Sequence, residues 1–259
     1  KTGTVSLALA AITFDVSVME EFIPLCNGMT VCMANEEEIH NPLALAELLV
    51  RNKVDIMKCT PSYMTNIIEA PQMRSALSGI QAFDIGAETF PPGLYGKMRE
   101  VNRTAKIVNS YGPTECTIST AIKPLDDDRD ITIGRPLVNV KTYVVNRKNK
   151  VLPVGISGEL IICGSGVGRG YVNLPDKNQE AFFHFKGMKA YHSGDLVRWN
   201  SKGEIVFLGR LDNQVKLRGL RVELDEIENA IHSFDGVKMS KVIVRSNGSE
   251  EYLAGYFTA

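Results

Sequence analysis

The distribution of apolar and polar positions divides the chain into three regions, of which the first runs to about Ile122. Short apolar runs alternate there with helical patterns. Prolines just inside these patterns mark three helix starts, at Asn41-Pro42, Thr60-Pro61 and Phe90-Pro91-Pro92. Candidate strands lie between them, at 29–33, 80–85 and 106–108. This alternation predicts the α/β class, with a mostly parallel sheet covered by helices.

The pattern changes after the acidic loop at 126–130. Strand-like runs at 138–145, 158–163 and 204–208 are separated by Gly, Asn and Pro, which predicts a β-rich, barrel-like unit. From residue 213 a strand pair interrupted at Gly219 precedes a helical pattern, and two more strand-like runs follow. We therefore expect units at 1–125, 126–211 and 212–259, the last being the incomplete start of a small α+β subdomain.

Composition narrows the classes of protein. The chain has 259 residues, 44% hydrophobic and 23% charged, with a formal net charge of -1, which excludes disordered and fibrous proteins and favours neither a nucleic-acid nor a membrane partner. The apolar run at 5–12 is too short to span a bilayer. Five scattered cysteines without zinc or redox spacing suit small core or pocket-wall thiols in a reducing, cytoplasmic setting. Since the chain begins without Met and ends in a strand-like run, we expect a segment of a longer protein.

The sharpest motif is the run from Asn109 to Glu115. It follows the strand at 106–108, and open α/β sheets bind ligands at the carboxyl ends of their strands. Gly112 and the proline after it bring bare backbone close to a ligand, while Tyr111 offers a flat face, Thr114 a hydroxyl and Glu115 a carboxylate. These groups suit a nucleotide. An ordinary turn with a core tyrosine is the alternative.

Two further motifs carry polar chemistry. Asp195, beside a glycine turn, is suited to accept both hydroxyls of a ribose, or else stabilises the turn. Arg210 opens a charged run at the boundary of the third unit, where it suits a phosphate or ribose, or a solvated strand. The glycine-rich run at 164–170 lacks the spacing of a phosphate loop, and no helical pattern follows it, so we expect a structural loop.

Taken together and in order, these motifs resemble the amino-acid adenylation domain of nonribosomal peptide synthetases, in the ANL superfamily of adenylate-forming enzymes. The matching stretches are Phe14 to Ser17, Asn109 to Glu115, Gly158 to Tyr171, Tyr191 to Leu196 and Gly209 to Glu228. The resemblance implies that an amino acid reacts with ATP to give an aminoacyl-adenylate and pyrophosphate. The acyl group then passes to the phosphopantetheine thiol of a peptidyl carrier protein, beside neighbouring synthetase domains.

Two other functions stay open beside it. One is a stand-alone ligase of the same superfamily, of the D-alanine–carrier protein ligase or acyl-CoA synthetase type. The other is a non-catalytic module that binds a nucleotide or an amino acid.

The resemblance also implies roles for single residues. Tyr111 would stack on adenine, Asn109 would meet its edge, and the backbone at Gly112 would lie close by. Thr114 would bond the α-phosphate and Glu115 would hold Mg²⁺. Asp195 would take the ribose hydroxyls, Arg210 would contact ribose or phosphate, and Asp212 would be a hinge. Thr114, Glu115 and Arg210 would then be the catalytic groups.

The amino-acid pocket follows from the same resemblance. Asp15 would pair with the α-ammonium, which favours an amino acid over an acid without an amine because a buried charge needs a partner. The walls expected from motif position are Val16, Met19, Ser110, Ile118 and Ser119, and a looser match adds Lys58, Phe83 and Ile85. A pocket-facing Lys58 would invite a polar or acidic side chain; the alternative is that it points away.

Two family elements lie outside this sequence. A phosphate loop with its lysine would precede Lys1, and a catalytic lysine would follow Ala259. We therefore expect the segment alone to form adenylate poorly or not at all, and to leave some apolar surface uncovered.

Overall fold

The computed structural model describes residues 3–125, 130–217, 220–247 and 250–259. The predicted interruption at Gly219 and most of the acidic loop, 126–129, therefore lie outside the described residues.

The first sheet has seven strands. They are β1 (Val5–Ala8), β2 (Thr30–Met33), β3 (Ile56–Cys59), β4 (Ala82–Gly86), β5 (Lys106–Tyr111), β6 (Ala121–Pro124) and β7 (Arg135–Pro136). Their order is β2-β1-β3-β4-β5-β6-β7, parallel through β5 and antiparallel beyond it. The prediction of a mostly parallel, helix-covered sheet is confirmed, and all six predicted strand and helix-start positions correspond to elements.

Helices follow the strands of this sheet. They are α1 (Ile23–Cys26), α2 (Glu36–His40), α3 (Pro42–Arg51), α4 (Pro61–Ile68), α5 (Pro71–Ser78) and α6 (Leu94–Val101), with a π turn at Val18–Phe22 before α1. Asn41 caps α3 by accepting from Leu43 N–H at 3.0 Å, and Thr60 caps α4 by accepting from Tyr63 N–H at 3.2 Å. The third predicted start is displaced, because α6 begins after Gly93, which has a φ of 84°.

Alternation along the central strands separates the two faces of the sheet. Phe83 and Ile85 of β4 face the helices, in a core cluster with Met57 and Ile107 of the neighbouring strands. Asp84 lies between them in sequence and therefore on the opposite face. By the same alternation this second face carries Lys58 of β3 and Ser110 of β5, which are described below.

A second, antiparallel sheet follows. It contains β8 (Val140–Val145), β9 (Gly158–Gly164), β10 (Phe182–Phe185), β11 (Met188–Trp199) and β12 (Ile205–Arg210). The order β10-β11-β9-β8, with β12 on β11, forms a curled half-barrel whose register shifts between His192 and Leu196. Helix α7 (Pro175–Ala181) begins five residues after Gly170, where no helix was predicted.

The C-terminal part is a mixed α+β unit, as predicted. Hairpin strands β13 (Gln214–Leu217) and β14 (Leu220–Glu223) precede helix α8 (Leu224–His232), which packs on the antiparallel pair β15 (Met239–Asn247) and β16 (Glu250–Thr258). The unit boundaries predicted at 125 and 211 remain a proposal.

Four of the five cysteines, all of which lie in described residues, are buried or half-buried. Burial raises the pKa of the Cys116 thiol to about 12 and that of Cys163 to about 11, and it raises the pKa of Cys32 and Cys59 as well. Cys26, at the end of α1, is exposed, unlike the core thiol that was expected. Within the described part of the chain, every helix is too short or too polar to cross a bilayer.

Candidate functional site

The structure joins the three predicted motifs through one carboxylate, that of Asp195. The Tyr111 hydroxyl, at the end of β5, donates to Asp195 Oδ2, and Arg210 Nη1, at the end of β12, donates to Asp195 Oδ1 at 2.8 Å. Tyr111 and Asp195 are both buried. Residues from the first sheet, β11 and β12 thus meet at a single point.

Burial dominates the electrostatics of this point. It raises the pKa of Asp195 above its ordinary value of 3.8, although Arg210 and the Tyr111 hydrogen bond act in the opposite direction. Burial and the neighbouring carboxylate also hold the pKa of Tyr111 well above 10, so the phenol keeps its proton and remains the donor. Asp195 is therefore a carboxylate held in place by two donors at some cost in desolvation.

Arg210 links Asp195 to the predicted hinge residue. Its Nε donates to Asp212 Oδ1 at 2.8 Å, its Nη2 donates to Asp212 Oδ2, and its Nη1 also donates to the Ser193 carbonyl at 2.8 Å. Gly194 has a φ of 71°, and a Cβ there would lie 2.7 Å from Arg210 Nη2 and 2.8 Å from Asp212 Oδ2. Only glycine fits this turn without displacing the arginine.

Glu115 lies in a 3-10 turn, Thr114–Cys116, and is also buried. Its Oε1 accepts from the Tyr171 hydroxyl at 2.6 Å and from Arg221 Nη1 at 2.8 Å, whereas its buried Oε2 has no hydrogen-bond partner among the described residues. Burial opposes ionisation here, but the Tyr171 hydrogen bond and the Arg221 charge outweigh it, so the pKa of Glu115 is lowered. The side chain is an ionised carboxylate with one free oxygen.

The glycine-rich loop supports this turn from behind, as expected of a structural loop. Gly168 N–H donates to the Glu115 carbonyl at 2.7 Å, and Thr117 Oγ1 donates to the Gly166 carbonyl at 2.6 Å.

Thr114, which was expected to bond the α-phosphate, is exposed on the turn at Thr114–Cys116. Asn109 is buried, and its amide donates to the Thr132 carbonyl at 2.8 Å, so one of its two N–H donors is in use.

A tight loop after Glu115 shapes the neighbouring surface. Thr117 and Ile118 have φ of 64° and 70°, a left-handed pair uncommon for these residue types. The Thr120 N–H donates to the Tyr111 carbonyl at 2.7 Å, and a Cβ on Gly112 would lie 2.2 Å from the Ile118 carbonyl oxygen. The missing side chain at Gly112 therefore lets this loop fold back against β5.

Several predicted pocket residues lie in or beside the π turn and in the loop after Glu115. Ser119 Oγ donates to Met19 Sδ at 3.4 Å, which brings the π turn against the loop. Asp15 and Val16 are half-buried just before that turn. The Asp15 carboxylate makes no hydrogen bond or ion pair with the residues that the structure describes. It is thus available to an ammonium group.

Of the three pocket residues added by the looser match, one reaches the second face of the sheet and two do not. Lys58 lies on the second face, where its Nζ donates to Asp84 Oδ2 at 2.6 Å and to Ser110 Oγ at 3.2 Å. Phe83 and Ile85 do not reach this face, because both lie in the helix-covered core with 3% and 0% of their surface exposed. The residue between them, Asp84, is the one that the structure brings to Lys58 and Ser110.

Sequence reasoning missed three side chains of the site. Asp84 was detectable as the single polar residue within an apolar strand. Tyr171 and Arg221 stood inside matched motifs without an assigned role, and their contact with Glu115 spans 56 and 106 residues of sequence. Spacing alone gives no signal for contacts of that kind.

Comparison with known proteins agrees with this geometry. Residues 1–172 match the AMP-binding enzyme family. The chain is 36% identical over 259 residues to gramicidin S synthase 2 of Aneurinibacillus migulanus, covering 98% of this chain and 6% of that protein. The chain therefore spans a small fraction of the curated relatives it matches.

Solved structures share the fold. PA1221, an NRPS protein containing adenylation and PCP domains, superposes with a TM-score of 0.86 at 24% identity, over 97% of this chain and 52% of that one. The Vibrio cholerae adenylation domain AlmE, solved with glycyl-adenosine-5'-phosphate, gives a TM-score of 0.84 at 25% identity, over 98% of this chain and 50% of that one. Motif order, fold and sequence similarity agree, and the chain belongs to the AMP-binding enzyme family as a segment of a nonribosomal peptide synthetase adenylation domain.

Proposed function

We propose that this chain is the amino-acid-activating segment of a nonribosomal peptide synthetase, which joins an amino acid to ATP as an aminoacyl-adenylate and releases pyrophosphate. The observation that carries the proposal is the meeting of Tyr111, Asp195 and Arg210. Burying a carboxylate costs free energy. Here the carboxylate lies between an aromatic residue at a strand's carboxyl end and a guanidinium.

That arrangement supports the nucleotide roles that the resemblance implies. Asp195 accepts the ribose hydroxyls, the Tyr111 ring lies against the adenine with Asn109 and the Gly112 backbone beside it, and Arg210 contacts ribose or phosphate. Thr114, exposed on the turn, is placed to donate its hydroxyl to the α-phosphate. Together these groups hold the α-phosphorus in place for attack by the substrate carboxylate.

Glu115 fits a divalent cation. Its Oε2 is a buried, ionised carboxylate oxygen without a partner among the described residues, and Mg²⁺ prefers oxygen ligands. When bound, Mg²⁺ would screen the negative charge of the phosphates. Tyr171 keeps the other oxygen oriented at 2.6 Å, so the free one points in a fixed direction.

The amino group of the substrate is assigned to Asp15. Its carboxylate is half-buried and free of hydrogen bonds within the described residues. An α-ammonium would neutralise it, whereas an acid lacking the amine would leave it unpaired. Transfer of the acyl group to phosphopantetheine on a peptidyl carrier protein, with neighbouring synthetase domains and a cytoplasmic location, completes the proposal. PA1221, which contains both adenylation and PCP domains, supports the pairing.

The test is amino-acid-dependent exchange of pyrophosphate into ATP by the full-length protein. We expect Asp15→Asn to lower kcat/KM by on the order of 100-fold, the effect of removing one partner of a desolvated charge pair. The control is Glu47→Gln, which changes an exposed carboxylate on α3. Nucleotide binding without exchange for any amino acid would instead indicate a non-catalytic binding module.

A further inference from the structure

Three polar side chains form a connected group on the second face of the first sheet. Lys58 of β3 and Asp84 of β4 are register partners on adjacent parallel strands, and Ser110 of β5 lies next to them. Lys58 Nζ is 2.6 Å from Asp84 Oδ2 and 3.2 Å from Ser110 Oγ. Ser110 is buried, and the Lys58 side chain is 12% exposed. We call this group the β3–β5 triad.

Within the described residues, one N–H donor and one acceptor oxygen of the triad lack a hydrogen-bond partner. A lysine ammonium carries three N–H donors, and two of them have partners here. Asp84 Oδ2 accepts from Lys58, whereas Asp84 Oδ1 is buried and has no partner among the described residues. One donor and one acceptor therefore remain, side by side, and a buried polar atom without a partner is destabilising.

The triad adjoins the predicted amino-acid pocket. Ser110 immediately precedes Tyr111 on β5, and the loop after Glu115 brings Ser119 to Met19 of the π turn. Glu20 of the same turn is within electrostatic range of Lys58 and is held by the N–H groups of Leu9 and Ala10, each at 2.8 Å. The π turn that follows Asp15 is therefore close to Lys58, and we place the substrate side chain between them.

The charges restrict which side chain fits. Asp84 already neutralises Lys58, so a carboxylate would face Asp84 and Glu20 without a free cation. A second ammonium would be repelled by Lys58, and an apolar group would leave both polar atoms unpaired. A neutral group with one acceptor and one donor a few ångströms apart satisfies both.

We propose that the substrate side chain is a primary carboxamide, that of asparagine or glutamine. Its carbonyl oxygen accepts from Lys58 Nζ and its NH₂ donates to Asp84 Oδ1. This inference rests on the proposed function, since it concerns the amino acid that is activated. It makes Asp84 and Lys58 a specificity pair.

The first test is pyrophosphate exchange by the full-length protein with asparagine, glutamine, aspartate, glutamate, ornithine, lysine, threonine and leucine. We expect one of the two amides to exceed each of the six amino acids without a carboxamide by at least 100-fold in kcat/KM, because a site built to hydrogen-bond a group rejects analogues lacking it. A preferred substrate with an acidic, cationic, hydroxyl or apolar side chain overturns the inference and leaves the proposed function standing. Exchange with no amino acid overturns both.

The second test removes the two charges of the pair one at a time. Asp84→Asn leaves Lys58 without its carboxylate, so aspartate or glutamate should gain at least tenfold relative to the amide. Lys58→Met leaves Asp84 without its ammonium, so ornithine or lysine should gain similarly. Calorimetry with ATP reports folding of both variants, and Glu47→Gln is the matched control. Unchanged substrate ranking in a variant that still binds ATP contradicts the inference, and two separate variants keep the test decisive if one fails to fold.

Discussion

At the scale of single residues, the site depends on charged groups whose burial opposes stability. Asp195 is buried with a raised pKa, so its protonated form favours the folded state. That contribution is full below the unfolded value near 3.8 and is lost as the pH rises through the higher folded value. At neutral pH the ionised carboxylate therefore weakens the fold, and the proposed ribose-binding role would account for its retention.

Asp195→Asn tests this trade-off. We expect AMP affinity to fall by roughly tenfold or more, since one oxygen acceptor becomes a donor. The thermal midpoint should stay the same or rise, because the amide resembles the protonated carboxyl. Calorimetry with AMP and thermal melts followed by circular dichroism measure the two effects. Asp176→Asn, at an exposed position on α7, is the control. A clear fall in midpoint would contradict the account.

At the scale of elements, the β13–β14 hairpin carries Arg221 to the Glu115 carboxylate, where its Nη1 donates to Oε1. The Arg221 side chain is 41% exposed, while that of Glu115, in the turn at Thr114–Cys116, is only 6% exposed, so the ion pair joins a partly exposed cation to a buried carboxylate. The Arg221 guanidinium and a divalent cation would both be attracted by the same carboxylate. Under the proposed function, the hairpin position would therefore influence how strongly Glu115 binds a divalent cation.

Arg221→Gln should therefore tighten divalent-cation binding. We expect roughly a fivefold gain in Mn²⁺ affinity, corresponding to about 1 kcal/mol for a partly exposed pair. Titration followed by electron paramagnetic resonance measures Mn²⁺ directly and needs no turnover. Arg74→Gln, an exposed arginine on α5, provides the comparison. Weaker binding in the Arg221 variant would show that the arginine supports the metal site.

Helix starts could be predicted from the sequence, whereas contacts between distant elements could not. Proline and cap residues located α3 and α4 because the capping chemistry is local. At β4 the sequence comparison assigned Phe83 and Ile85 to the pocket wall, one residue to either side of Asp84. Because side chains alternate along a strand, both predicted residues lie in the core, whereas Asp84 lies on the opposite face. Contacts such as Arg221 with Glu115 arise only from tertiary folding, so no local pattern reveals them.

At the scale of the whole molecule, a buried ion pair joins the first sheet to the second. Lys123 of β6 donates to Glu204 Oε1 at 2.6 Å, just before β12, and both side chains are 9% exposed. Thr132 Oγ1 donates to Glu204 Oε2 at 3.1 Å, and Ile133 N–H donates to the Ile205 carbonyl at 3.0 Å. The relative placement of Tyr111 and Asp195 depends on this junction.

Lys123→Met should lower the free energy of unfolding by about 3 kcal/mol, because it leaves Glu204 buried without its cation. The double variant Lys123→Met, Glu204→Leu should recover most of that loss, since neither charge then remains buried. Urea denaturation of the single and double variants measures both values. Equal stability of wild type and single variant would show that the pair is not a structural constraint.

The distribution of thiols described above has a practical consequence for spectroscopy. Reactive dyes need an accessible thiolate, and four cysteines are shielded from solvent with raised pKa values. Brief maleimide treatment near neutral pH therefore labels Cys26, eleven positions downstream of Asp15, without any engineered mutation. A fluorophore is thereby attached at the end of α1 while the four shielded thiols stay unmodified.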